Sequence, residues 1–95
     1  MLYIPRLIWD VWNVEHIARH QVVPEEVEEV CHGRYIHRES YKGRIMLIGL
    51  TSSNRILAII LAPQDAEGLY YPVTARTANR QERRLYQEEQ SGDRT

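Results

Sequence analysis

The sequence predicts an α+β fold. It would have two N-terminal helices, an antiparallel sheet of three to four main strands, and one C-terminal helix. Three observations carry this expectation. Residues 10–33 hold helix caps and helical apolar spacing. Residues 35–76 hold apolar runs separated by the turn signals Lys42-Gly43 and Ser52-Ser53-Asn54. Residues from Asn79 onward return to a cap followed by a charged, helix-favouring run. Sequential strands joined by tight turns pair antiparallel.

The 95 residues make one domain, over 1–90, with a polar tail at 91–95. A hydrophobic share of 43% and a charged share of 26% are ordinary for a globular protein. No apolar run approaches the roughly 18 residues of a membrane span. The N-terminal residues lack the basic region of a signal peptide. They read instead as a first short strand, with the apolar run Leu7-Ile-Trp9 a strand or an extended entry. The single cysteine, Cys31, is compatible with a reducing cytoplasm and reads as a small buried helix residue. His32 is its neighbour in sequence, but adjacent helical residues point about 100° apart.

Asp10 is a good N-cap for a helix over residues 11–20. Trp12, His16 and Arg19/His20 share one of its faces; Val14, Ile17 and Ala18 line another. Pro24 suits the first turn of a second helix, where Glu25 and Glu26 favour the helix dipole. Val27, Val30 and Cys31 form its inward stripe, and Gly33 follows its end.

Strands follow over 35–41, 44–51, 55–62 and 69–76. The run Arg55-Ile-Leu-Ala-Ile-Ile-Leu-Ala62 is apolar almost throughout, as in a central strand. Pro72 cannot donate to a ladder, so it belongs at an edge or a bulge. Asn79 with Glu82 fits a capping box, opening a helix over about 80–89.

The net charge of −1 gives no general attraction to nucleic acid, so polyanion binding needs local clustering. Such a cluster exists. Arg76, Arg80, Arg83 and Arg84 fall within nine residues, at a strand end and a helix start. Guanidinium groups beside a helix N-terminus suit phosphate. The competing reading is a solvated face partnered by Glu82, Glu88 and Glu89. Tyr86 is favoured as a core residue over a base-stacking one. Trp9-Asp10 and Trp12 could stack bases, but the stronger reading has Trp9 anchoring the first helix on the core and Asp10 capping it. His16 and His20 have the i, i+4 spacing of a metal pair, with His37 or Glu15 as a third ligand. A structural role, or a part in a nucleic-acid site as cation or acid/base, competes with metal. No Gly-rich phosphate loop or Cys-x-x-Cys pair is present.

Taken together, these residues resemble the BrnT-like toxin family. The resemblance rests on Trp9-Asp10…Asn13-x-x-His16-Ile-x-x-His20-x-Val22, then Pro24-Glu-Glu-Val27, then Thr74-Ala-Arg76-x-Ala78-x-x-x-Glu82-Arg83-x-x-Tyr86. It spans about residues 7–87. It implies a RelE-like fold and a cytoplasmic bacterial ribonuclease toxin of a type II toxin–antitoxin pair. The implied partners are a cognate antitoxin protein and an RNA substrate. Assembly would be as a homodimer or a toxin–antitoxin hetero-oligomer. No membrane, cofactor or metal is implied. Arg76, Arg83, His20 and His16 become the catalytic candidates; Arg80, Arg84 and Tyr86 become the RNA-binding ones. A non-catalytic interaction or nucleic-acid-binding module of the same fold is the alternative. Two departures stand out: Gln21 occupies the place of the family's helix-ending glycine, and Pro72 lies in the strand leading to Arg76.

Overall fold

The computed structural model describes residues 2–92. The predicted α+β class holds, with three α-helices and five strands among the described residues. In chain order these are β1 (Arg6–Leu7), α1 (Val11–Ala18), α2 (Pro24–Cys31), β2 (Tyr35–Glu39), β3 (Ile45–Leu50), β4 (Ile56–Pro63), β5 (Leu69–Thr77) and α3 (Arg80–Gly92). The sheet order is β1-β5-β4-β3-β2.

The sheet corrects the sequence expectation. It has five strands and is mixed rather than wholly antiparallel. The fifth strand is β1, whose two residues pair parallel to β5, Arg6 with Leu69 and Leu7 with Tyr70. The reason is a crossover: α1 and α2 carry the chain from one edge of the sheet to the other before the meander begins. The three remaining pairings are antiparallel, as expected.

Local chemistry sets most boundaries. Asp10 and Asn13 cap α1 reciprocally: Asn13 N donates to Asp10 Oδ1 and Asp10 N to Asn13 Oδ1, both at 2.9 Å. The helix stops at Ala18, short of the expected 20. Gln21 takes a left-handed conformation, φ 57°, and the chain turns into Val22. Pro24 opens α2, and Glu26 Oε1 accepts from Val23 N at 3.2 Å. Lys42 and Gly43 both have positive φ, which closes the β2–β3 hairpin. Pro72 sits at a bulge. The β4–β5 register steps from Ile60↔Thr74 to Leu61↔Pro72 and leaves Val73 as the extra residue.

Strand alternation divides the helices between the two faces of the sheet. Ile17, Val27, Val30 and Cys31 from α1 and α2 bury against Leu47, Leu57, Ile59, Leu61 and Ala75. On the opposite face, Tyr86 of α3 packs with Ile36, Ile48 and Ala78. The inner line of α1 differs from expectation. Its buried residues are Asn13 and Ile17, whereas Ala18 is exposed. Asn13 can be buried because its amide donates to Ile8 O at 2.8 Å. The helix α3 continues to Gly92, three residues past the expected end. Of the expected polar tail, residues 93–95 lie outside the described residues.

Candidate nucleic-acid site

The arginine cluster lies where β5 passes into α3. Pleating turns Ala75 toward α1 and α2, so Arg76 projects to the α3 face beside Ala58, its register partner. The strand ends at Thr77, and Ala78 N donates to Ile56 O at 2.8 Å. Asn79 then caps α3, with Glu82 N donating to Asn79 Oδ1 at 2.8 Å and Asn79 N to Glu82 Oε1 at 2.9 Å.

Glu82 serves a second purpose. Its two carboxylate oxygens accept from Arg76 Nη1 at 2.7 Å and Nη2 at 2.9 Å. This two-pronged hydrogen bond raises the Arg76 pKa above its usual value, burial opposing it in part. The same bond lowers the Glu82 pKa, with the Asn79 backbone N–H assisting and burial opposing. Arg83, though exposed, donates from Nη1 to Ala78 O at 2.7 Å. Two of the four arginines therefore fasten the strand to the helix. Arg80 and Arg84 are exposed. Among the described residues, no carboxylate pairs with either of them.

The helix then crosses the sheet toward β2. Arg38 Nη2 donates to Glu89 Oε1 at 2.9 Å and Arg34 Nη1 to Gln90 Oε1 at 3.2 Å. It covers the register row Ile36, Ile48, Ala58 and Arg76. The next row, Arg38, Met46, Ile60 and Thr74, is left beside the helix, with Met46, Ile60 and Thr74 only half-buried. An arginine stands at an end of each row, and each is held by a glutamate of α3.

The other sequence candidates fall elsewhere. Tyr86 is 6% exposed and lies in the α3 core, so its ring is not offered to a base. His16 and His20 are exposed on α1, with ring centroids 5.7 Å apart. No hydrogen bond among the described residues joins either imidazole to the arginine corner. Nor do these residues include a group of three or more His, Cys, Asp or Glu that could hold a metal. His37 is exposed on the edge strand β2, near Tyr35. Cys31 is buried, and burial, reinforced by the charge of Glu28, pushes its thiol up to about 12. His32 pairs with Glu28 at 3.3 Å rather than with Cys31.

Trp9 and Trp12 separate. Trp9 packs on the core and donates from Nε1 to Glu28 Oε2 at 2.9 Å. Trp12 is 80% exposed. A cleft of about 500 Å³ lined by Trp9, Pro24, Glu25, Glu28, Glu29 and His32 carries three glutamates and no Arg or Lys, and does not suit phosphate.

Arg55 is a residue the sequence did not single out. Its Nη1 donates to Gln21 O at 2.8 Å and to Glu26 Oε2 at 2.9 Å; its Nη2 donates to Thr77 Oγ1 at 3.0 Å. It joins the end of α1 and the start of α2 to the arginine corner. Its partners are 22 to 34 residues away, so no local pattern announces it.

No helix among the described residues is long and apolar enough to cross a membrane. No protein-family model matches the chain, and no curated protein sequence matches it.

Proposed function

We propose that this chain is an RNA-directed protein of the BrnT-like kind, a ribonuclease toxin neutralised by a cognate antitoxin in the cytoplasm. The observation that carries the reading is the β5–α3 corner, where Arg76, Arg80, Arg83 and Arg84 gather around a helix N-terminus. Phosphodiester binding is what such a corner does best. Arg80 and Arg84, exposed, meet the RNA backbone first. Arg76, paired with Glu82, and Arg83, bonded to the Ala78 carbonyl, fix the geometry of the corner beside them.

Cleavage would proceed by attack of the ribose 2′-oxygen on phosphorus. The new O–P bond forms as the P–O5′ bond breaks, leaving a 2′,3′-cyclic phosphate. A base takes the 2′-hydroxyl proton, an acid supplies one to the 5′-oxygen, and guanidinium groups stabilise the phosphorane. Arg76 and Arg83 fit the last role. His16 and His20 remain the acid/base candidates by residue type; reaching the corner requires the RNA to pass over α1.

A second reading is favoured by one specific observation. The carboxylate nearest the arginines, Glu82, has a lowered pKa because Arg76 binds it, which makes it a poor base. A corner that binds phosphate without a matched base describes a module that holds RNA and does not cut it.

Induced expression in a bacterial host separates the two, with growth and total RNA followed together. An Arg80→Ala/Arg84→Ala protein is the informative variant, since both side chains are exposed and neither makes a hydrogen bond or ion pair among the described residues. Growth arrest with RNA loss, relieved by this variant, supports the toxin. Intact RNA, with binding that weakens steeply as salt rises and more shallowly in the variant, supports the binder.

A further inference from the structure

We infer that the outer face of α1 is a nucleobase subsite, with the Trp12 indole as its stacking platform and a single-stranded RNA base as its ligand. The inference rests on the RNA reading above, but uses different residues. Trp12, Glu15, His16 and Arg19 line a shallow cleft of about 200 Å³. They stand at i, i+3, i+4 and i+7, one face of a helix whose geometry continues through Arg19.

The fold does not explain Trp12. It is 80% exposed, whereas Trp9, three residues earlier, is packed and hydrogen-bonded. An exposed indole offers a large flat surface to an occupant. The neighbours on its face say which kind. A protein hot spot sits at the centre of an apolar patch with a polar rim. Around Trp12 the cleft is instead a carboxylate, an imidazole and a guanidinium. Val11, also exposed, projects about 100° round the helix. One aromatic surface edged by polar groups fits a flat ring with donors on its rim. The ring stacks on Trp12, Glu15 accepts from an exocyclic amine, and Arg19 takes the flanking phosphate. Adenine, cytosine and guanine carry that amine; uracil does not.

A chain of hydrogen bonds links the end of α1 to the arginine corner: the Gln21 carbonyl accepts from Arg55, which also donates to Thr77 Oγ1, next to Arg76.

The test is intrinsic tryptophan fluorescence with five-nucleotide 2′-O-methyl oligoadenylate and oligouridylate. The methyl group removes the nucleophile, so binding is read without cleavage. Oligoadenylate should quench the wild type and a Trp9→Phe protein, and more strongly than oligouridylate. In Trp12→Leu the quench should vanish and the affinity fall by roughly 5- to 100-fold. Arg80→Ala/Arg84→Ala should bind more weakly with the quench at saturation retained. Wild-type affinity in Trp12→Leu overturns the subsite, leaves the arginine corner standing, and assigns the exposed indole to a protein contact. Equal quenching by the two oligonucleotides overturns the role of Glu15. Loss of all binding in the wild type overturns both the subsite and the RNA reading.

Discussion

Arg76 and Glu82 are joined by two hydrogen bonds of 2.7 and 2.9 Å, and the same carboxylate caps the helix that Arg76 faces. One side chain thus satisfies a helix N-terminus, neutralises a cation on the sheet and fixes the angle between β5 and α3. The Glu82 side chain is 13% exposed and that of Arg76 41%, so the pair is partly shielded from solvent.

Linkage gives the sign of its pH dependence. The folded-state pKa of Glu82 lies below its ordinary value of 4.5. Its stabilisation is therefore fully present above that value and is lost as pH falls through the folded pKa. Glu82→Gln should cost about 1–2 kcal/mol near neutral pH, a figure reduced because Arg76 is partly in water. Urea unfolding across the acid range should show the two proteins converging as pH falls. A gap that stays constant down to strongly acid pH would mean that the ion pair is not its source.

Gly49 lies where α2 packs close against the sheet. A Cβ there would stand 2.6 Å from Val30 Cγ1, 2.8 Å from Arg34 O and 3.1 Å from Tyr35 Cβ. The backbone contact cannot yield as a flexible side chain would. Gly49→Ala should destabilise by about 1–3 kcal/mol, as overpacking does. Gly43→Ala is a poor control, because φ is 74° there and strain replaces crowding. A Gly49→Ala protein with the wild-type denaturation midpoint would show that α2 can lift without cost.

The features legible in the sequence were those written in neighbouring residues. Asp10 before α1, Pro24 at the start of α2, Lys42-Gly43 in the hairpin and the Asn79/Glu82 box each act within four positions, and each is found where expected. The bulge at Pro72 was legible for a similar reason, since a missing N–H is a property of one residue. What was hidden is non-local. Two residues of β1 pairing with Leu69 and Tyr70 leave no periodic trace. Arg55 looks like any residue at a strand start until its guanidinium meets Gln21, Glu26 and Thr77. At the arginine corner the cluster was visible, but the division of labour was not. Spacing cannot tell Arg76 and Arg83, which hydrogen-bond to the protein, from Arg80 and Arg84, which make no such bond among the described residues.

Cys31 should be chemically silent in the folded protein. It is 4% exposed, and its thiol is pushed up to about 12, so almost no thiolate exists near neutral pH. Labelling with a chromogenic disulfide at mildly alkaline pH should be slow in buffer and stoichiometric in denaturant. Its rate in buffer should track opening of the α2–sheet seam, and accelerate in Gly49→Ala. Rapid labelling of the native wild type would refute the buried thiol.

Gln21 gives the opposite kind of prediction, a stabilising one. Its φ of 57° lies in the left-handed region, where a residue with a Cβ is held at a cost of about 1–2 kcal/mol. The turn persists because Gln21 N closes on Ala18 O at 3.0 Å, Val22 buries behind it, and Arg55 grips its carbonyl at 2.8 Å. None of these contacts uses the Gln21 side chain, whose own bond to Arg19 O is long, at 3.4 Å, and exposed. Gln21→Gly keeps all three and removes the strain, while adding entropy to the unfolded chain. The net effect should be a gain of about 0.5–1 kcal/mol, a rise of a few degrees in Tm for a domain of this size. A fall in Tm would place the strain elsewhere. It would mean that the Gln21 side chain, and not only its backbone, holds the end of α1 against Arg55 and the arginine corner.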